Sequence, residues 1–376
     1  MRIADFKLER YFARWEFSAP YLLCSSDIEG WRMQDLLALA DPDARARWEA
    51  LTLGYTEPAG LPVLREAISE MYPGLSAGDV LTFAGAEEAV FVLMNVLLGP
   101  DDHAVVTWPA YQSLHEVARA AGAQVTLLPL REEDGWQLDL DAVRRALRPN
   151  TRLIVVNFPH NPTGALPDRA TFEALCALAE ERGAYLLSDE VYRLLEHDGR
   201  EPLPTAAERF ARGVSLGVMS KAFGLAGLRV GWIACRDAEL LRRCAAYKDY
   251  TTICNSAPSE VLSLIALRAK DQVLARSRAL LARNFALLDA FFAEHAGTFR
   301  WVRPRAGSVA FPRLLGEAKV ADFARALVER EGVLILPAEV YDFPGNHFRL
   351  GLGRENLPEA LARLGRFCAE ARASGH

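Results

Sequence analysis

Lysine is scarce in this chain of 376 residues: only Lys7, Lys221, Lys248, Lys270 and Lys319 occur. Cysteine is hardly more frequent, and the six that occur, Cys24, Cys176, Cys235, Cys244, Cys254 and Cys368, are scattered with no C-x-x-C spacing and no histidine pair nearby. That pattern indicates neither a zinc site nor a disulfide framework, no metal is expected, and a reducing cytoplasm fits best. The formal net charge of −6 comes without a block of like charge, so there is no basic field for nucleic acid. The longest strongly apolar stretch, Ala89 to Leu98, stops at Gly99-Pro100 and is too short to cross a bilayer. Residues 1–16 alternate charged and aromatic side chains and lack the apolar core of a signal peptide. No G-x-G-x-x-G follows the first strand-like run, which argues against a nicotinamide dinucleotide enzyme. No basic segment precedes residue 50, which argues against a DNA-binding regulator.

What the chain does have is apolar content, 51% of its residues, and a length that suggests roughly two domains. Short apolar runs alternate with amphipathic stretches, as a parallel sheet with crossover helices requires. The runs predict strands over His103–Thr107, Gln124–Leu128, Leu153–Asn157, Ala184–Ser188, Gly213–Val218 and Val230–Ala234. Helices are predicted over Ser113–Ala121, Asp139–Leu147 and Arg169–Arg182. After about residue 265 the pattern becomes one long amphipathic helix, followed by strands around Ala310–Pro312, Val333–Leu336 and His347–Leu352. The expected fold class is α/β: a large domain over 46–265 with a mostly parallel sheet, and a smaller α+β domain formed by 1–45 together with 266–376.

Three segments carry chemistry. Lys221 lies in Ser220-Lys221-Ala222-Phe223-Gly224-Leu225-Ala226-Gly227-Leu228-Arg229. Upstream lie Asn161-Pro162-Thr163-Gly164 and Ser188-Asp189-Glu190-Val191-Tyr192. Lysine forms a Schiff base with an aldehyde, so this set suits pyridoxal 5'-phosphate held as an aldimine. Asp189 ends an apolar run and should emerge at the carboxyl end of a central strand, where open α/β sheets bind ligands. There it would pair with a protonated pyridine nitrogen, although alone it reads more readily as a helix N-cap. Tyr192 and Asn161 can each reach the cofactor O3' oxygen; the plain readings are amphipathic packing and a strand-to-helix turn. Gly85 opens a helix whose first amides, at Ala86 and Glu87, could receive a phosphate. Arg229 offers a planar fork for the same group, and Tyr111 could stack on the pyridine ring. Arg349 interrupts an apolar strand, so it needs a carboxylate, from the protein or from a substrate.

The order and spacing of these segments closely resemble the fold-type I pyridoxal phosphate enzymes of the aspartate aminotransferase family, class I/II, from about Tyr55 to Arg349. The resemblance implies that Ala86, Glu87, Ser220 and Arg229 lie at the phosphate, that Tyr111 stacks, and that Asn161 and Tyr192 contact O3'. It also implies that Asp189 pairs with the pyridinium and that Arg349 and Asn161 bind the substrate. Tyr55 would reach the phosphate of a neighbouring subunit, which implies a homodimer with shared active sites. The amino-terminal segment Ser25–Trp31, Gly30 included, would contribute to substrate selection, with Asp27 and Glu29 favouring a basic side chain if they face the pocket. One departure stands out: Val218 occupies a position where the family commonly carries a serine or threonine that binds phosphate. The implied activity is transamination between an amino acid and a 2-oxo acid, with Lys221, Asp189 and Tyr192 catalytic. A looser resemblance, carried by Val156–Pro162, Lys248–Thr251 and Ala310–Arg313, is to capreomycidine synthase, which cyclises a hydroxylated arginine, and this leaves cyclisation or elimination open.

Overall fold

A computed structural model describes residues 2–373. Seven strands form its central sheet: β1 (Val80–Phe83), β2 (His103–Trp108), β3 (Gln124–Pro129), β4 (Thr151–Asn157), β5 (Tyr185–Asp189), β6 (Gly213–Val218) and β7 (Gly231–Cys235), in the spatial order β1-β7-β6-β5-β4-β2-β3. The run from β3 through β6 is parallel, and β7 alone runs antiparallel to both its neighbours. Parallel strands need crossover helices, so both faces of the sheet are covered and the strands read as continuous apolar runs. In β4, Leu153 and Val155 enter the core on one face while Ile154 and Val156 enter the core on the other. The predicted strands fall within one or two residues of those observed, and β5 extends to include Asp189 itself.

A separate helix, Ala257–Arg268, precedes the long helix expected after about residue 265, which is Lys270–Glu294, and Ala269 lies between them. Their partners differ, which explains the break. The first buries Val261, Leu264 and Ile265 beside helices Pro42–Glu49 and Pro62–Ser69, whereas the second packs on the carboxy-terminal helix Leu357–Ala373. A three-stranded antiparallel sheet, Leu336–Pro337, Phe348–Gly351 and Val309–Ala310, lies with these last elements. Its first strand is shorter than the sequence predicts because Val333 pairs instead with Tyr21 of the amino-terminal segment. Among the described residues no helix is long and apolar enough to cross a membrane.

The amino-terminal segment is thereby laid along the small sheet. Leu23 O accepts from Gly351 N at 3.1 Å, Ser26 O accepts from Ser308 Oγ at 2.6 Å, and Tyr11 Oη donates to Ile335 O at 3.0 Å. The approach at Gly351 is so close that a Cβ there would sit 1.8 Å from Ser25 O. Gly351→Ala must push the amino-terminal segment off its sheet, and overpacking of this kind costs about 1–3 kcal/mol. Urea denaturation should show a lowered midpoint of that order, together with weaker substrate binding; an unchanged midpoint would mean that the segment is not held there in solution.

Candidate active site

The carboxyl ends of β4, β5 and β6 open into a cavity of about 330 Å³. β4 and β5 are in register so that Asn157 lies opposite Asp189, and Asn157 Nδ2 donates to Asp189 O at 2.9 Å. Asn157 Oδ1 also accepts from Asn161 N at 2.7 Å, which fixes the turn that carries Asn161. The cavity floor is therefore set by sheet register.

Asp189 is 7% exposed, and its carboxylate takes one hydrogen bond, from Val191 N at 3.2 Å. Among the described residues no cation lies within ion-pair distance of it. Burial pushes its pKa up to about 7, the Val191 amide and Lys221 pulling the other way. Lys221 Nζ donates to Ser26 Oγ at 2.8 Å and sits 5.6 Å from the centre of the Tyr192 ring. Burial is also the main influence here and brings the Lys221 amine down to about pH 8, against the pull of Asp27 and Asp189 and with the help of Arg349 and Arg229. The Tyr192 hydroxyl is fully buried and makes no well-formed hydrogen bond. Burial raises its pKa to about 12, with Arg349 and the Ser26 side chain acting to lower it.

A second cluster stands at the amino end of helix Ala86–Leu97. Gly85 has φ +93°, and a Cβ on it would lie 2.7 Å from Arg229 Nη2. Arg229 is itself left-handed at φ 52° and donates through Nη1 to Ala226 O at 3.2 Å. Ala86, Glu87, Ser220 and Val218 line the cavity here. Glu87 accepts from Ser113 Oγ at 3.0 Å, and burial raises its pKa to about 7.

A third cluster surrounds Arg349, which is 1% exposed. Its Nε donates to Cys24 O at 3.0 Å, and its Nη1 donates to Tyr341 Oη at 2.8 Å and Asn161 Oδ1 at 3.4 Å. Phe12 presents its ring 5.8 Å from the guanidinium carbon. Among the described residues no carboxylate forms an ion pair with it, so the charge is compensated from the cavity side or not at all. Tyr111 lines the same cavity, its ring 5.0 Å from Phe6 and its hydroxyl donating to Glu9 Oε1 at 3.4 Å.

Of the residues singled out in the sequence, Lys221, Asp189, Tyr192, Ala86, Glu87, Tyr111, Asn161, Ser220, Arg229 and Arg349 all line this one cavity. Tyr55 does not; it is 92% exposed on the outside of the chain. Gly30 does not either. Glu29 N donates to Gly353 O at 2.8 Å, which turns the chain away, and Gly30 O accepts from Arg276 Nη2 at 3.3 Å. Ser25, Ser26 and Asp27 of the same segment reach the cavity instead. Asp27 is paired with Arg354 Nη2 at 3.0 Å, while Glu29 bonds Glu355 N at 3.1 Å outside it. Sequence reasoning missed Asn157, Tyr341 and the helix residues Glu9, Phe12 and Glu16. For the helix residues a signal existed: an apolar-acidic face at positions 8, 9, 12 and 16 of Lys7–Trp15 and the residue that follows.

The residues present fit pyridoxal 5'-phosphate. A buried carboxylate lacks a cation where a pyridinium would stand, and a guanidinium faces free helix amides where a phosphate would stand. The aminotransferase class I and II family model matches residues 35–364, and the chain belongs to that family. It is 33% identical over 366 residues to the capreomycidine synthase of Streptomyces vinaceus, covering 96% of this chain and 92% of that protein. It is 32% identical over 360 residues to the arginine-pyruvate transaminase AruH of Pseudomonas aeruginosa, covering 89% and 90%. Among solved structures, a PLP-dependent aminotransferase from Streptococcus suis matches at TM-score 0.92 and 31% identity over 98% of this chain and 99% of that one. The PLP-dependent cyclase OrfR matches at TM-score 0.89 and 31% identity, covering 98% of each chain. The fold is that of the fold-type I enzymes, and the protein is a pyridoxal phosphate-dependent enzyme of this family.

Two measurements on the cofactor-free protein follow. An unfolded lysine holds its proton to about pH 10.4, so between pH 8 and that value the unfolded chain binds more protons at this group than the folded one. The contribution of Lys221 to stability therefore rises with pH across that window. A side-chain NMR titration should place Lys221 near pH 8, and a midpoint near 10 would contradict the desolvation argument. Val218 offers the phosphate end no hydroxyl, so Val218→Ser should tighten pyridoxal 5'-phosphate binding by about tenfold, the worth of one hydrogen bond to a charged group. Equal affinity in a fluorescence titration would rule that out.

Proposed function

We propose that the protein is an aminotransferase that moves the amino group of an α-amino acid to a 2-oxo acid. The observation that carries this reading is Arg349, a buried guanidinium with no carboxylate of its own, in the same cavity as the lowered-pKa amine of Lys221. Arg349, oriented by Cys24 O and Tyr341, would bind the substrate α-carboxylate through a charge-assisted fork. Asn161 would hold the same end through its amide. Pyridoxal 5'-phosphate, when bound, supplies an electron sink for a carbanion at the substrate α-carbon. Asp189 would keep a positive charge opposite it, Arg229 and the Ala86 and Glu87 amides would hold its phosphate, and Tyr111 would cover its ring. Lys221 Nζ would take the α-proton, a task for which an amine near pH 8 is suited at neutral pH. Ser26 Oγ, 2.8 Å away, would orient it.

Tyr55 would act in a homodimer, reaching the phosphate of the partner's site. Its exposure supports this, as does the company of Leu53 at 87% and Tyr250 at 91% exposed, tied together by Thr56 Oγ1 donating to Asn255 O at 3.1 Å. Five free cysteines, Cys24, Cys176, Cys235, Cys244 and Cys254, four of them buried, support a reducing cytoplasm as the place of action.

A second reading is favoured by the relatives: capreomycidine synthase and the cyclase OrfR are as similar as the transaminases. A cyclase would use the same Lys221 and Arg349 but return a cyclic amino acid. The product separates the two. Cofactor-loaded protein given amino acids and pyruvate should release the matching 2-oxo acid and alanine, and Lys221→Ala should slow this by ~10²–10⁴-fold. An amino acid consumed to a cyclic product with no 2-oxo acid released would replace the aminotransferase reading by the cyclase one.

A further inference from the structure

The amino-terminal helix Lys7–Trp15 closes one side of the cavity with Leu8, Glu9, Phe12 and, one residue past its end, Glu16. A wall facing a substrate already held by a guanidinium has no evident need of carboxylates, yet this wall brings two. The cavity is a ligand site on grounds independent of them, since the fully buried Tyr192 hydroxyl opens into it without a well-formed partner.

The charges around it balance except at this wall. Asp189 and Arg229 are taken by the cofactor on the reading above, and Arg349 by the α-carboxylate. Asp27 is neutralised by Arg354 at 3.0 Å. Glu87 is pushed toward its protonated form by burial. Glu9 and Glu16 are left over. The Glu9 carboxylate receives only the Tyr111 hydroxyl, and among the described residues the Glu16 carboxylate has neither a hydrogen bond nor an ion pair. Burial raises the Glu16 pKa first, and the carboxylates of Glu9 and Asp27 add to it, with Arg354 and Arg349 acting to lower it. Glu9 is exposed and Glu16 half-buried, and like charges lining one side of such a site are stabilised by a cation placed between them. Phe12 lies between these two positions in sequence and holds its ring against Arg349, so the apolar middle of a side chain would pass Phe12 on its way from the Arg349 end to the carboxylates.

We propose that Glu9 and Glu16 are specificity-determining residues that bind the positively charged side-chain terminus, guanidinium or ammonium, of the amino acid substrate. This deepens the aminotransferase reading and rests on its placement of the α-carboxylate at Arg349. Neutral and acidic side chains of the same length are rejected because they leave the carboxylate pair uncompensated.

Arginine and citrulline, equal in length but differing in charge, test it. Binding to the cofactor-loaded protein is followed by calorimetry and product by 2-oxo acid assay. Arginine should bind ~30-fold or more tightly than citrulline, as expected where a partly desolvated charge pair is lost. The double variant Glu9→Gln/Glu16→Gln should bring the two ligands to within about threefold, through KM and not kcat, and Glu16→Asp should keep most of the preference. Equal affinities in the unaltered protein, or a double variant that weakens both ligands alike, would overturn the proposal. Arginine preference without release of a 2-oxo acid would leave it standing and remove the aminotransferase reading instead.

Discussion

A carboxylate at the end of β5 is held where water scarcely reaches and where, among the described residues, no cation forms an ion pair with it. The surroundings of Asp189 follow from that placement. Strand register sets Asn157 beside it, Asn157 in turn holds the Asn161 turn, and β6 leads out to Lys221 on the other side. Isolated burial of a charge is costly unless the group is paired or neutralised, and the same low dielectric lowers the amine of Lys221 while it raises the acid of Asp189. One desolvated floor thus tunes an acid and a base toward the same pH range.

Much of this arrangement was legible in the sequence because it depends on strand ends. An apolar run buried on both faces has a sharp terminus, and a charged residue at that terminus must meet either a ligand or a partner; Asp189 was found that way, Asn161 by the turn that follows a strand, Lys221 by the chemistry of its amine and the motifs around it, and Arg349 by the cost of a charge inside an apolar strand. The antiparallel insertion of β7 was not legible, since Gly231–Cys235 has the same apolar character as its parallel neighbours and direction leaves no mark on composition. The boundary at Ala269 between Ala257–Arg268 and Lys270–Glu294 leaves no mark for a related reason: alanine is a good helix former, and only the change of packing partner reveals that two helices meet there.

The cavity wall nearest the substrate was the least legible part. The segment Ser25–Trp31, Gly30 included, was taken as its contributor, but a hydrogen bond from Glu29 to Gly353 turns the chain away before Gly30, and only Ser25, Ser26 and Asp27 of it line the cavity. A contact across more than 300 positions decides which of six neighbouring residues faces the site, and no local pattern encodes it. Tyr341, which steadies Arg349, comes from the same long-range docking. The opposite holds for Glu9, Phe12 and Glu16, whose helical spacing was visible but whose partner surface was not.

The docking of residues 21–27 on the strand Phe348–Gly351 also bears on how the protein comes into being. The central sheet is complete in the chain once residue 235 has been made, but the wall carrying Ser26 has nothing to lie against until residue 351 follows. During synthesis from the amino terminus the first thirty residues therefore wait, with Phe12 and Leu23 uncovered, for a strand near the other end. A newborn chain can own Lys221 and the helix Ala86–Leu97 well before the cavity wall that carries Ser26 is in place, and the two arrive at different moments of translation.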